Sequence, residues 1–119
     1  MKYLSFQEIP VWKSGHELTL LIYKLVKLFP TSEKFILIPQ IIRATISIPA
    51  NIAEGFHRHS TKELLNFLYI ARGSCGEVYY YLILSKSLNY LNQEDFDRAS
   101  NLSISISKQL SAWINSLKK

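Results

Sequence analysis

The chain has a single cysteine among its 119 residues, Cys75, so an internal disulfide is excluded. A lone thiol suits a reducing compartment, and we expect a cytoplasmic protein. Four glycines and four prolines are too few for a loop-rich β protein. With 48% hydrophobic residues, the composition indicates a folded domain rather than a disordered one.

Long apolar runs are also missing. No stretch reaches the ~20 apolar residues that cross a bilayer. The first residues carry no charged leader followed by an apolar block, so we expect neither a membrane protein nor a signal peptide.

Motifs of catalysis and cofactor binding are not found. The sequence lacks a glycine-rich phosphate loop, a nucleophile elbow and a pair of catalytic carboxylates. His57 and His59 are two residues apart, whereas helical metal ligands favour spacings of three or four. We therefore expect no enzyme, no cofactor, no metal and no small-molecule substrate.

What is present is helical periodicity throughout one domain. Apolar residues recur at spacings of three and four, Ser60 and Glu63 form a capping-box pattern, and Asn92 precedes three acidic residues, as at a helix start. The pattern predicts helices over approximately 9–29, 39–58, 61–90 and 93–118. Short connections between the last three helices indicate antiparallel neighbours, hence an all-α, up-down-up-down four-helix bundle.

The third predicted helix is apolar on nearly every side. Successive side chains are ~100° apart, so blocks such as Tyr79–Leu84 cannot all face one core. This predicts a homo-oligomer interface that includes Tyr69, Tyr79, Tyr80 and Tyr81. Gly73 and Gly76 weaken the helix by ~1 kcal/mol each, which indicates close approach of another backbone.

Pairing the second helix with the third about the turn near residues 59–60 brings Arg43 opposite Glu77. We therefore predict a structural Arg43–Glu77 ion pair. If it is buried, removing one partner costs ~3–5 kcal/mol.

Two segments then carry a family resemblance: SIPANIAEGFHRHSTKE (Ser47–Glu63) and FLYIARGSCGEV (Phe67–Val78). They resemble the four-helix-bundle proteins encoded in 23S rRNA intervening sequences, also called S23-type proteins. The fold is similar to that of diversity-generating retroelement accessory proteins. The resemblance implies a bundle that assembles into a ring-like homo-oligomer, without a settled biochemical activity. The similarity to the retroelement proteins implies that this oligomer is a homopentamer and that it binds nucleic acid through a basic surface.

Two functional hypotheses follow. The net charge of +5 is modest, and the only block of like charge is Lys118–Lys119. The first hypothesis is that the bundle binds RNA or DNA. The alternative is a protein–protein interaction scaffold that binds no nucleic acid. For the first, the candidate phosphate contacts are Lys13, Lys24, Lys27, Arg58, Lys62, Lys118 and Lys119.

Overall fold

The structure, a computed structural model, describes residues 2–119. Four α-helices account for most of them: α1 (Pro10–Leu25), α2 (Leu37–Phe56), α3 (Thr61–Ser87) and α4 (Gln93–Leu117). Three 3-10 turns lie outside the helices, at Phe6–Glu8, Val26–Leu28 and Thr31–Glu33. The described residues contain no strand, and the predicted all-α four-helix bundle is confirmed.

The helices form a square in which each packs on two neighbours. α1 lies beside α2 and α4, and α3 lies beside the same two helices. The bundle measures 44 × 23 × 20 Å. At one end, α1 begins, α2 ends, α3 begins and α4 ends; we call it the termini pole. The opposite end, with the α1–α2 and α3–α4 connections, is the connector pole.

Local sequence sets the helix ends, and most lie within a few residues of those predicted. Pro10 is the first residue of α1, where its missing amide proton is not needed. The Ser60 hydroxyl accepts from the Glu63 amide at 3.1 Å, and Asn92 Oδ1 accepts from the Asp95 amide at 2.8 Å. These two bonds cap α3 and α4.

Two predicted helices are shorter than expected. α1 stops at Leu25 rather than at residue 29, because Pro30 forces Phe29 into an extended conformation and the preceding turn tightens to a 3-10 turn. α3 stops at Ser87 rather than at residue 90, because Asn89 adopts a left-handed conformation with φ 65°. The second helix is shifted, to 37–56, with Pro39 inside its first turn. The fourth ends at Leu117.

A hydrogen bond ties the two connections together at the connector pole. The Tyr90 hydroxyl donates to Glu33 Oε2 at 2.7 Å, and Glu33 Oε1 accepts from the Leu37 amide at 3.4 Å. Donation to the carboxylate stabilises the protonated phenol and raises the pKa of Tyr90 above its ordinary value.

The core consists mainly of branched aliphatic side chains facing the bundle axis. The largest fully buried side chains are Leu18, Ile22, Ile41, Thr45, Ile48, Ile52, Leu68, Val78, Leu82, Ile106, Leu110 and Ile114. Close approach between helices occurs at two glycines. A Cβ on Gly55 would lie 3.0 Å from Leu64 Cδ1, and one on Gly15 would lie 3.2 Å from Ile48 Cγ2.

The predicted role of Gly73 and Gly76 is wrong within the chain. A Cβ on either residue would meet nothing within 4 Å, and both glycines are exposed on α3. No described segment of this chain therefore uses their small size.

These glycines lead to a paired prediction on stability. Gly76→Ala gains helix propensity without a clash and should raise the free energy of unfolding by ~1 kcal/mol. Gly55→Ala, the matched control, places a Cβ 3.0 Å from Leu64 Cδ1 and 3.1 Å from Phe67 Cβ, so α3 must move away from α2 and the free energy of unfolding should fall. Guanidinium unfolding at low protein concentration, where self-association contributes least, measures both. A destabilised Gly76→Ala would contradict the open environment of that position.

Candidate functional site at the termini pole

The antiparallel topology gathers five of the seven predicted phosphate contacts at the termini pole. Lys13 lies in the first turn of α1, Arg58 and Lys62 flank the α2–α3 turn, and Lys118 and Lys119 follow α4. Lys24 and Lys27 lie at the other end of α1, near the connector pole. The seven residues therefore do not form one site, because the 1.5 Å rise per residue separates the two groups along α1.

The net charge of the protein is concentrated at the same pole. Its basic side chains are Lys2, Lys13, Arg58, Lys62, Lys118 and Lys119, and its acidic ones are Glu8, Glu54 and Glu63, a net charge of +3. At the connector pole five basic residues face four acidic ones, for a net charge of +1. All three histidines also lie toward the termini pole.

Arg58 contacts two neighbouring side chains at the surface of the pole. Its Nη2 lies 2.8 Å from Glu54 Oε2, and its guanidinium carbon lies 4.8 Å from the centre of the Phe67 ring. The Glu54 partner neutralises its charge, and the ring covers one face. The lysines of the pole make no ion pair within residues 2–119 and are the stronger candidates for phosphate contact.

Lys2 is a cation that sequence reasoning missed. Two contacts hold the N-terminal segment at the pole. The Ser5–Glu8 capping box forms a turn before α1, and the Phe6 ring packs edge-on against His57 with ring centres 5.9 Å apart. Lys2 therefore lies at the termini pole. The capping-box pattern S-x-x-E at Ser5 was a readable signal for this turn.

Arg43 and Glu77 approach each other across α2 and α3. Arg43 Nη2 lies 3.7 Å from Glu77 Oε2, with side-chain exposures of 62% and 47%. Arg43 also donates to Gln40 Oε1 at 2.8 Å. The contact is exposed, so the ~3–5 kcal/mol expected for a buried pair does not apply to the single chain. A partly buried polar link between these helices is the hydrogen bond that Ser74 Oγ donates to Ser47 Oγ at 2.9 Å.

The predicted interface tyrosines lie on or beside the outward side of α3. Tyr69, Tyr79 and Tyr80 are exposed, and Tyr81 is half-buried with its ring 5.9 Å from that of Tyr80. Ile70 and Ile83 are exposed on the same helix, at 51% and 40%. Tyr69, Gly73, Gly76 and Tyr80, spaced by four, three and four residues, follow one line along the helix; we call it the α3 stripe.

Cys75 faces the core between α3 and α4. Burial raises the pKa of its thiol to about 12, so the thiol stays protonated near neutral pH. Its backbone carbonyl accepts from Ser103 Oγ at 3.3 Å. This is the environment of a packing thiol, since a reactive cysteine needs an accessible thiolate.

The described residues form neither a metal site nor a membrane-spanning helix. Within residues 2–119, no cluster of three histidine, cysteine or acidic side chains is arranged as a metal site. None of the four helices combines the length and the hydropathy required to span a bilayer.

Comparison with known proteins assigns the chain to a protein family without assigning an activity. Residues 7–112 match the family model described as 23S rRNA-intervening sequence protein. A solved structure, that of a protein with unknown function from the S23 ribosomal protein family of Bacteroides thetaiotaomicron VPI-5482, superposes with a TM-score of 0.82. It is 31% identical, and the alignment covers 87% of this chain and 97% of that one. No curated protein matches.

Removing the exposed Arg43–Glu77 ion pair should have different effects on the stability of a monomer and of an oligomer that buries the pair. Glu77→Gln should change the free energy of unfolding by less than ~1 kcal/mol, because solvent screens the pair. Ile48→Ala, at a fully buried position, should cost ~2–5 kcal/mol in the same guanidinium titration. A loss of ~3 kcal/mol or more for Glu77→Gln would mean that the pair is buried, as it would be inside an oligomer.

Proposed function

The chain belongs to the 23S rRNA-intervening sequence protein family, and we propose that it is a non-catalytic, self-associating bundle that binds RNA through its termini pole. The observation that carries the RNA-binding part is the uneven distribution of charge. Six basic side chains face three acidic ones at this pole, a net charge of +3, whereas the rest of the molecule has eight basic and six acidic side chains, a net charge of +2 spread over a larger surface.

The physical basis is phosphate neutralisation. Lysines clustered on one surface displace counterions condensed on RNA, and the release of these ions drives binding. Lys13 and Lys62 lie at the starts of α1 and α3, and Lys118 and Lys119 follow the end of α4, so the surface spans the end of the bundle rather than one strip. Contacts of this kind position the RNA on the protein but do not distinguish one base sequence from another.

Absence of catalysis is part of the same proposal. The only cysteine is buried and protonated, which supports a structural role for it. Arg58 and Glu54, the close charged pair at the pole, are four residues apart, with Glu54 in the last turn of α2 and Arg58 just beyond it, an arrangement that suits stabilisation of the helix end.

Two double variants with the same net charge, one altered at each pole, test whether RNA binds at the termini pole. Lys62→Glu with Lys118→Glu should weaken binding of a labelled RNA strongly and reduce the slope of log affinity against log salt by about 2. Lys24→Glu with Lys27→Glu removes the same charge at the connector pole and should leave affinity within about threefold, since long-range attraction is screened over a Debye length of ~8–10 Å. Fluorescence anisotropy measures both.

Equal losses in the two double variants would refute a localised site. Binding that stays constant between about 50 and 200 mM salt would refute phosphate contact altogether. In that event the scaffold hypothesis, a bundle that binds protein partners alone, would take its place.

Self-association is supported by the outward side of α3. Tyr80 is 57% exposed and Ile70 51% exposed on this side, opposite the side of α3 that packs in the core. Gly73 and Gly76 make the centre of the α3 stripe shallow, and a second copy packed there would give these glycines the close contact that the single chain does not. The family resemblance points to a ring-like homopentamer.

Sedimentation at micromolar concentration tests the assembly. The wild type should sediment as a multiple of its 13.8 kDa mass, five times that mass for a homopentamer. Tyr80→Lys with Ile83→Lys should shift it to the single-chain mass, because buried lysines would lose hydration. Ser105→Lys with Asn115→Lys, on the exposed side of α4, adds the same charge and should leave the assembly intact. A wild type at 13.8 kDa would rule self-association out.

A further inference from the structure

A cleft of about 440 Å³ opens at the termini pole, between the N-terminal segment, the start of α1 and the last turns of α4. Tyr3 and Lys2 line one wall, and Gln109 and Trp113 line the other. Its volume falls in the ~300–1,000 Å³ range of small-ligand sites. These residues come from opposite ends of the chain and meet only in the folded bundle.

The two aromatic rings of the cleft have no aromatic partners. Tyr3 and Trp113 are half-buried and packed against the core, and within residues 2–119 neither pairs with another ring. The other tryptophan differs: Trp12 stacks on His16, with ring centres 5.1 Å apart and planes 10° from parallel. The cleft therefore offers two anchored aromatic side chains with no ring stacked on them.

Polar groups accompany the rings. Gln109 Nε2 donates to Ser105 Oγ at 3.2 Å, which orients the amide at the cleft wall. Lys2 Nζ lies over the Tyr3 ring, 5.3 Å from its centre, at the end of an exposed, flexible side chain that an incoming base can displace. Aromatic rings, an amide and nearby cations are the groups that hold unpaired nucleotides, by stacking, hydrogen bonding and phosphate attraction.

We infer that this cleft binds one unpaired nucleotide of a single-stranded RNA, with the base against Tyr3 and Trp113 and a phosphate beside Lys2. The inference rests on the proposed RNA binding at the termini pole and narrows the ligand from RNA of any structure to RNA with unpaired, accessible bases. A base in a duplex is stacked on its neighbours and cannot enter the cleft, so the site distinguishes single strands from duplexes.

The test compares a ~12-nucleotide oligouridine, within the ~4–16 nucleotides that single-strand sites span, with an RNA duplex carrying a similar number of phosphates. Tyr3→Ser should weaken oligouridine binding by ~5- to 100-fold, the loss of one base stack at tenfold per ~1.4 kcal/mol. Duplex affinity and the salt slope should stay unchanged. Tyr3→Phe should retain single-strand affinity, and Tyr23→Ser, at an exposed tyrosine on α1, should match the wild type.

A second measurement does not depend on removing a cleft residue. Trp12→Phe leaves Trp113 as the only tryptophan. Oligouridine should then quench its fluorescence, and the duplex should not. Thermal unfolding of each variant verifies that the fold is kept.

The outcomes separate this inference from the proposed function. If Tyr3→Ser weakens both RNAs equally, or leaves both unchanged, or if Trp113 is not quenched, nucleotide binding in the cleft is wrong while RNA binding at the pole stands. If the wild type binds neither RNA, both are wrong.

Discussion

The packing of α2 against α3 is the contact on which the remaining structure depends. α2 has one strongly apolar face, and its side chains Ile41, Ile48 and Ile52 are fully buried. Gly55 lets α3 approach near its first turns, and the Ser47–Ser74 hydrogen bond holds the two helices in register further along. Once this hairpin is formed, α1 and α4 complete a square whose core is closed on all four sides.

That hairpin also determines which surfaces are left over. α3 turns one side to the core, so its other apolar residues remain on the flank of the bundle, while the helix ends collect lysines from distant parts of the sequence. The flank and the pole are separate surfaces, so self-association along the flank would leave the poles open. In an assembly with parallel copies, several termini poles would lie on one rim and weak phosphate contacts would reinforce one another.

The sequence predicted which residues would be paired or unusual, but not how exposed they are or which residues surround them. The Arg43–Glu77 approach follows from counting along an antiparallel hairpin, yet its exposure depends on how far the side chains reach beyond the core. Lys24 and Lys62 look alike in the sequence but lie at opposite poles. Gly73 and Gly76 suggested a tight contact that the chain makes instead at Gly15 and Gly55, because a propensity argument detects an unusual glycine without locating its neighbour.

The sequence by itself determined the fold class, the number of helices, the caps of α3 and α4 and the family, because periodicity and capping are local properties that follow from nearby residues. Only the tertiary structure decided which cations share a pole, which glycines touch a neighbour and that Tyr3 and Trp113 line one cleft. These outcomes depend on packing between residues far apart in the chain, and the relative rotation and offset of four helices are not encoded in any single segment.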